Sequence, residues 1–332
     1  MSNFWEKLNK PFFVLAPMAN VTDWAFRKVV AKCGRPNVFY TEFLSCDGIL
    51  HDKTKFEKEL YFEKSEKPIV VQFFGSKPEN FYKCAQLARE LGFDGIDINM
   101  GCPDRNVEKQ GAGAALIKNH KLAQEIVKET QRGAGDLPVS VKTRLGYNKI
   151  ITKEWVSILL ETELAAIIVH GRTRKEISQV PAHWEEIGKA AEMAKDTKTL
   201  IIGNGDIVDM DDARQKAKDY SLDGIMVGRG IFANPWFFNE KVDIKEIKPG
   251  QRIELLREHL DNFEKLWGDD KRFDTMKKFF KVYISGWPAC PVCHACACRA
   301  GMADRDGAKE LRAKLMTVKN KKEVVDILQN QL

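Results

Sequence analysis

No apolar run in this 332-residue chain approaches the ~20 residues that a membrane helix needs, and the opening MSNFWEKLNK lacks the apolar stretch of a secretion signal. A cytoplasmic protein without a membrane partner is therefore expected. Cysteine is scarce: eight residues are too few for a disulfide scaffold, and four of them crowd into Cys290 to Cys298. Reduced thiols are the default. No strand-like segment is followed by G-x-G-x-x-G, which argues against a Rossmann dinucleotide site. Disorder is excluded by composition, since 44% of the residues are hydrophobic and 30% are charged.

The net charge of +6 is uneven, with residues 241–332 holding 19 Lys and Arg against 14 Asp and Glu. A basic tail on a near-neutral body suits a polyanionic partner or a merely solvated helical surface.

From residue 12 to about 230, eight short β-branched runs alternate with helical patterns: FFVLAPM, VFYTEF, IVVQFFG, GIDINMG, VSVKTRLG, AAIIVHGR, TLIIGNGD and GIMVGRG. Regular β-then-α order implies a parallel sheet, and eight such units in ~250 residues favour a (β/α)8 barrel, an α/β fold. Chemistry in such barrels gathers at the C-terminal ends of the strands. There the sequence places Pro17, Met18, Gln72, Asn99, Cys102, Lys142, Arg144, His170, Arg172, Asn204, Asp206 and Arg229. The glycines of GNGD and GRG let backbone N–H groups approach an anion, and Arg229 adds charge to that end. Lys142, His170 and Gln72 add positive and hydrogen-bonding groups. A phosphate end and a ring end together suit a flavin mononucleotide; a sugar phosphate needs only the first.

The motifs LAPMANVTD, VVQFFGS, IDINMGCP, GAGAALIK, VSVKTRLG, VHGRTR, IGNGDI and MVGRGIFANPW resemble, in order and spacing, the tRNA-dihydrouridine synthases. The likeness resumes in FKVYISGWP and GAKELRAKLM. It implies an FMN-dependent TIM-barrel oxidoreductase acting on the C5–C6 bond of particular uridines in tRNA, with NADPH or NADH recharging the flavin. By the same resemblance Pro17, Met18 and Ala19 form a flavin-contacting loop, and Gln72, Lys142 and His170 surround the ring. Asn204, Gly205, Asp206, Gly228 and Arg229 meet the ribityl chain and phosphate. Cys102 corresponds to the catalytic cysteine. A thiol with an ordinary pKa of about 8.5 is protonated at neutral pH, which suits a general acid.

After the barrel, RIELLREHLDNFEKLW sets Ile253, Leu256, Leu260, Phe263 and Trp267 on one helical face, and MKKFFKVYISGW does the same with Phe279, Phe280 and Tyr283. The expected organisation is a catalytic barrel over residues 1–243 and a helical tRNA-binding domain over residues 244–332. Lys277, Lys278 and Lys281, with Asn99, Arg144, Arg172 and Arg174 at the mouth, are the expected substrate contacts. Residues 289–306 depart from the resemblance as an insertion carrying Cys290, Cys293, Cys296 and Cys298. Their spacing suits zinc, an iron–sulfur cluster or a loop of free thiols. A monomer needing no protein partner is expected. Two other readings stay open: an FMN-dependent reductase of a small pyrimidine or enone, and an RNA-binding module without catalysis.

Overall fold

The computed structural model describes residues 3–284 and 303–329; the four clustered cysteines lie outside them. All eight expected strands form: β1 (Phe12–Leu15), β2 (Phe39–Ser45), β3 (Ile69–Phe74), β4 (Gly95–Met100), β5 (Val139–Arg144), β6 (Ala166–His170), β7 (Leu200–Asn204) and β8 (Gly224–Val227). Most stop two or three residues short of the apolar run, because the following Pro or Gly begins the loop. Helices α1 (Trp24–Cys33), α2 (Cys46–His51), α3 (Pro78–Glu90), α4 (Arg105–Lys109), α5 (His120–Ala134), α6 (Thr152–Leu160), α7 (Trp184–Ala194) and α8 (Met210–Asp219) intervene. Just beyond α3, Gly92 takes φ +80°, the left-handed conformation that commonly follows a helix end.

The strands are parallel in the order β1-β8-β7-β6-β5-β4-β3-β2. The ring closes through a bridge between Val14 and Val38, with Leu15 N donating to Val38 O at 3.1 Å. Phe12, Val14, Ala16, Val38, Tyr40, Val70, Ala166, Ile168, Ile202 and Met226 converge in one buried cluster, with Trp5 beneath them. They are alternate residues of their strands, the inward face of a period-two pattern. Two residues further along the same face, apolar side chains give way to polar ones: Val70 to Gln72, Ile168 to His170 and Ile202 to Asn204.

The chain divides into two compact units, Met1–Asp23 with Pro36–Gly230, and Trp24–Arg35 with Ile231–Leu332. Thus α1, which sequence order puts inside the barrel, groups with the later helices α9 (Pro249–Trp267), α10 (Lys277–Ile284), α11 (Ala303–Thr317) and α12 (Lys321–Gln329). Within that helical unit Phe26 packs on Phe279 at 4.9 Å between ring centroids, and Lys32 pairs with Glu258. The five residues expected on the apolar face of α9 are all buried, as are Phe279, Phe280 and Tyr283. No described helix is long and apolar enough to cross a membrane.

Candidate active site

Strand register assembles the mouth of the barrel unit. Gln72 lies beside Asp97, Asn99 beside Lys142, Arg144 beside His170, and His170 beside Asn204. Lys142 and His170 are half-buried at the strand ends that form this mouth.

Among the described residues Lys142 Nζ donates to Asn204 Oδ1 alone, at 3.1 Å, and Asn204 is fixed by donating to Met226 O at 2.8 Å. Burial, reinforced by Arg144, pulls the Lys142 pKa down to about 8. Burial, and then the charges of Arg144, Lys142 and Arg172, hold His170 well below the usual imidazole range, so it is neutral. Its Nε2 lies 3.2 Å from Arg172 Nη1, and a guanidinium only donates. Nε2 therefore accepts and Nδ1 carries the hydrogen.

Cys102 follows β4 on a loop held from both sides. Asn99 Oδ1 accepts from Gly101 N at 3.1 Å and Cys102 N at 2.9 Å, while Arg144 Nε donates to Gly101 O at 2.7 Å. The thiol is partly exposed, and burial raises its pKa above the ordinary value despite the Asp104 N–H and Arg144. It is more firmly protonated at neutral pH than composition alone suggests.

Gly113 supports this loop at φ +61°, where a Cβ would lie 2.8 Å from Val107 Cγ1 and 2.9 Å from Cys102 O. Gly113→Ala is expected to cost about 1–3 kcal/mol through backbone strain and to displace the cysteine. Thermal denaturation and the rate of Cys102 alkylation check this together.

At the other end of the mouth Asp206, itself at φ +50°, pairs with Arg172. It also accepts from Ala182 N at 3.0 Å and Arg229 Nη2 at 3.0 Å. Burial pushes the Asp206 carboxyl up, but these donors outweigh it and the net shift is downward. Arg229 stays well exposed, at 67% of its side chain. Gly228 leaves room: a Cβ there would meet nothing nearer than Ala16 Cβ at 3.7 Å and Met18 Sδ at 3.9 Å. Pro17 and Met18 are half-buried and Ala19 is exposed, in a loop braced by Met18 N donating to Thr22 Oγ1 at 2.9 Å.

Several expected contacts are bonded within the protein. Gln72 has no accessible surface, and both ends of its amide are bonded inside the barrel, to Asp97 and Asn99. Asn99 is likewise engaged at both ends. Arg172 is 2% exposed and bonded to Val180 O, His170 and Asp206. Arg144 is buried and also donates to Thr173 O and Ile177 O, tying the cysteine loop to the loop after β6. Arg174 grips Glu108 with both Nε and Nη2. On the helical unit Lys277 pairs with Asp274 at 2.7 Å, and Lys278 and Lys281 are exposed. Sequence reasoning missed Asp97. The available signal was a carboxylate two residues before Asn99, on the same face of a strand whose intervening residues are apolar.

The donor set fits a flavin mononucleotide: a half-buried ammonium at one end, and at the other a glycine with open space beside an exposed arginine. The Dihydrouridine synthase (Dus) family model matches residues 14–325. The chain is 41% identical over 332 residues to a probable tRNA-dihydrouridine synthase 2 of Bacillus subtilis, covering 98% of this chain and 95% of that protein. It is 42% identical over 290 residues to a probable tRNA-dihydrouridine synthase of Staphylococcus aureus strain COL, covering 86% and 87%. Among solved structures, a 2-naphthoyl-CoA reductase matches with TM-score 0.54 at 12% identity, over 71% of this chain and 52% of that one. Morphinone reductase matches with TM-score 0.51 at 14% identity, over 72% and 88%. These two bear on the fold alone. The match over nearly the whole chain, with a cysteine presented at the mouth of a closed barrel, makes this chain a member of the dihydrouridine synthase family.

Proposed function

We propose that this protein reduces the C5–C6 double bond of uridines in tRNA, with Cys102 as the general acid. The observation that carries the reading is a partly exposed thiol on a loop fixed at Gly101 and Cys102, beside the strand ends that carry the half-buried Lys142 and His170. FMN, when bound, supplies a hydride to C6 of the uracil and is recharged by NADPH or NADH. The chain's own residues do the rest. Cys102 delivers the proton to C5, and its raised pKa favours recovery of a proton from solvent afterwards. Lys142 and the neutral His170 hold the ring end of the cofactor, Asn204 positions Lys142, and Gly205, Gly228 and Arg229 take the phosphate end. Asp206 and the buried Arg172 anchor that end. The exposed Lys278 and Lys281 on the helical unit contribute phosphate contacts to tRNA, and the protein acts as a monomer.

A small-molecule reductase would use the same ring and leave the basic tail without a role. NADPH oxidation by the flavin-loaded protein separates the two: acceleration by tRNA, weakening as salt rises, supports the proposal. Equal acceleration by free uridine, insensitive to salt, would favour the small-molecule reading.

A further inference from the structure

The carboxylate of Asp97 has no part in the chemistry above, yet it is wholly buried on β4 and both its oxygens are bonded. Oδ1 accepts from Ser140 Oγ at 2.6 Å, and Oδ2 accepts from Gln72 Nε2 at 2.6 Å. The chain of bonds runs on. Gln72 Oε1 accepts from Asn99 Nδ2 at 2.9 Å, and Asn99 Oδ1 accepts from the backbone N–H groups of Gly101 and Cys102. We infer that Asp97 is a positioning residue for the reaction, setting the orientation of two amides in series so that the second holds the Cys102 backbone. The inference rests on the acid role of Cys102 proposed above.

The reason lies in the symmetry of a terminal amide, which can present its oxygen or its NH2 group in either direction. An oxygen at Asp97 selects the NH2 of Gln72, which turns Gln72 Oε1 toward Asn99. That in turn selects the NH2 of Asn99 and leaves Asn99 Oδ1 for the loop. If Gln72 turned over, Asn99 would have to follow, bringing its NH2 against two N–H donors. Leaving these N–H donors unbonded disfavours that arrangement.

Burial lifts the Asp97 pKa to about 7, so both protonation states occur near neutrality. The polarity survives either way. A proton on Oδ1 is donated to Ser140, whose hydroxyl then turns to Ile96 O at 3.4 Å, and Oδ2 still accepts from Gln72. Asparagine, with its oxygen toward Gln72 and its NH2 toward Ser140, reproduces the protonated form.

The test compares Asp97→Asn, Asp97→Ala and Ser140→Ala in the flavin-loaded full chain. Two readouts are needed: the single-turnover rate on tRNA, and alkylation by iodoacetamide followed on the Cys102 peptide by mass spectrometry. Asp97→Ala is expected to lose about 10–100-fold in single-turnover rate, the scale of a misplaced catalytic group, with tRNA affinity unchanged and the alkylation rate altered. Asp97→Asn, which keeps the acceptor, and Ser140→Ala, which spares the Gln72–Asn99 arm, should stay within about threefold on both readouts, under 1 kcal/mol in barrier. If Asp97→Asn fell as far as alanine, or if Asp97→Ala and Ser140→Ala lost rate only in proportion to their loss of melting temperature, the positioning role would be overturned. Should the parent protein not act on tRNA at all, the proposed function fails, and the alkylation comparison still decides this inference.

Discussion

Replacing Cys102 by alanine should lower the single-turnover rate of tRNA reduction by about 10²–10⁴-fold, the usual contribution of a positioned general acid. Oxidation of NADPH by the bound flavin should be left intact. The loop backbone is fixed by Asn99 and Arg144, so removing the thiol leaves the scaffold in place. The pH profile gives the sign. A general acid works while protonated, and burial raises the Cys102 pKa. The proton-transfer rate should therefore stay flat through neutrality and fall only on the alkaline side, beyond the ordinary thiol range. A thiolate nucleophile would do the opposite and gain rate as pH rises. Single-turnover kinetics across pH, in the parent and in Cys102→Ser, distinguish the two.

Lys142→Met should weaken flavin binding by about 10–100-fold, because a hydrogen bond to a charged group contributes ~1.5–3 kcal/mol and each 1.4 kcal/mol is tenfold. Methionine keeps the length and apolar stem of the side chain, which limits the loss to charge and donor. Burial lowers the folded pKa of Lys142 to about 8, so its ammonium is present below that pH and lost as pH rises through it. Flavin affinity of the parent protein should accordingly decline across this range, while the variant, with nothing to titrate there, stays flat and weak. Fluorescence titration of the flavin at several pH values measures both. Equal affinity in parent and variant at pH 7 would remove Lys142 from the cofactor site.

Much of this was legible in the chain. The eight strands follow from β-branched runs recurring between amphipathic segments, and the polar ring follows from period-two alternation, which puts Gln72, Lys142, His170 and Asn204 on the inward face. Alternation fixes a face but not a partner. Gln72 and Asn99 both read as ligand contacts, and only the register of β3, β4 and β5 reveals that they bond to each other and to Asp97. Arg172 reads as a mouth residue for the same reason. Its burial depends on Asp206 arriving from another strand end and on Val180 folding back over it. The grouping of α1 with the helical unit was hidden as well, because an amphipathic pattern shows that a face is covered without saying by what.

The central claim, that this protein makes dihydrouridine in tRNA with a proton from Cys102, is tested most directly by nucleoside mass spectrometry. The substrate is tRNA from a strain lacking the modification, incubated with flavin-loaded protein and NADPH in deuterated water. The account predicts dihydrouridine with a solvent-derived deuterium at C5, and almost no product from Cys102→Ala. Unchanged uridine alongside continued NADPH oxidation, or equal product from the alanine variant, would contradict it.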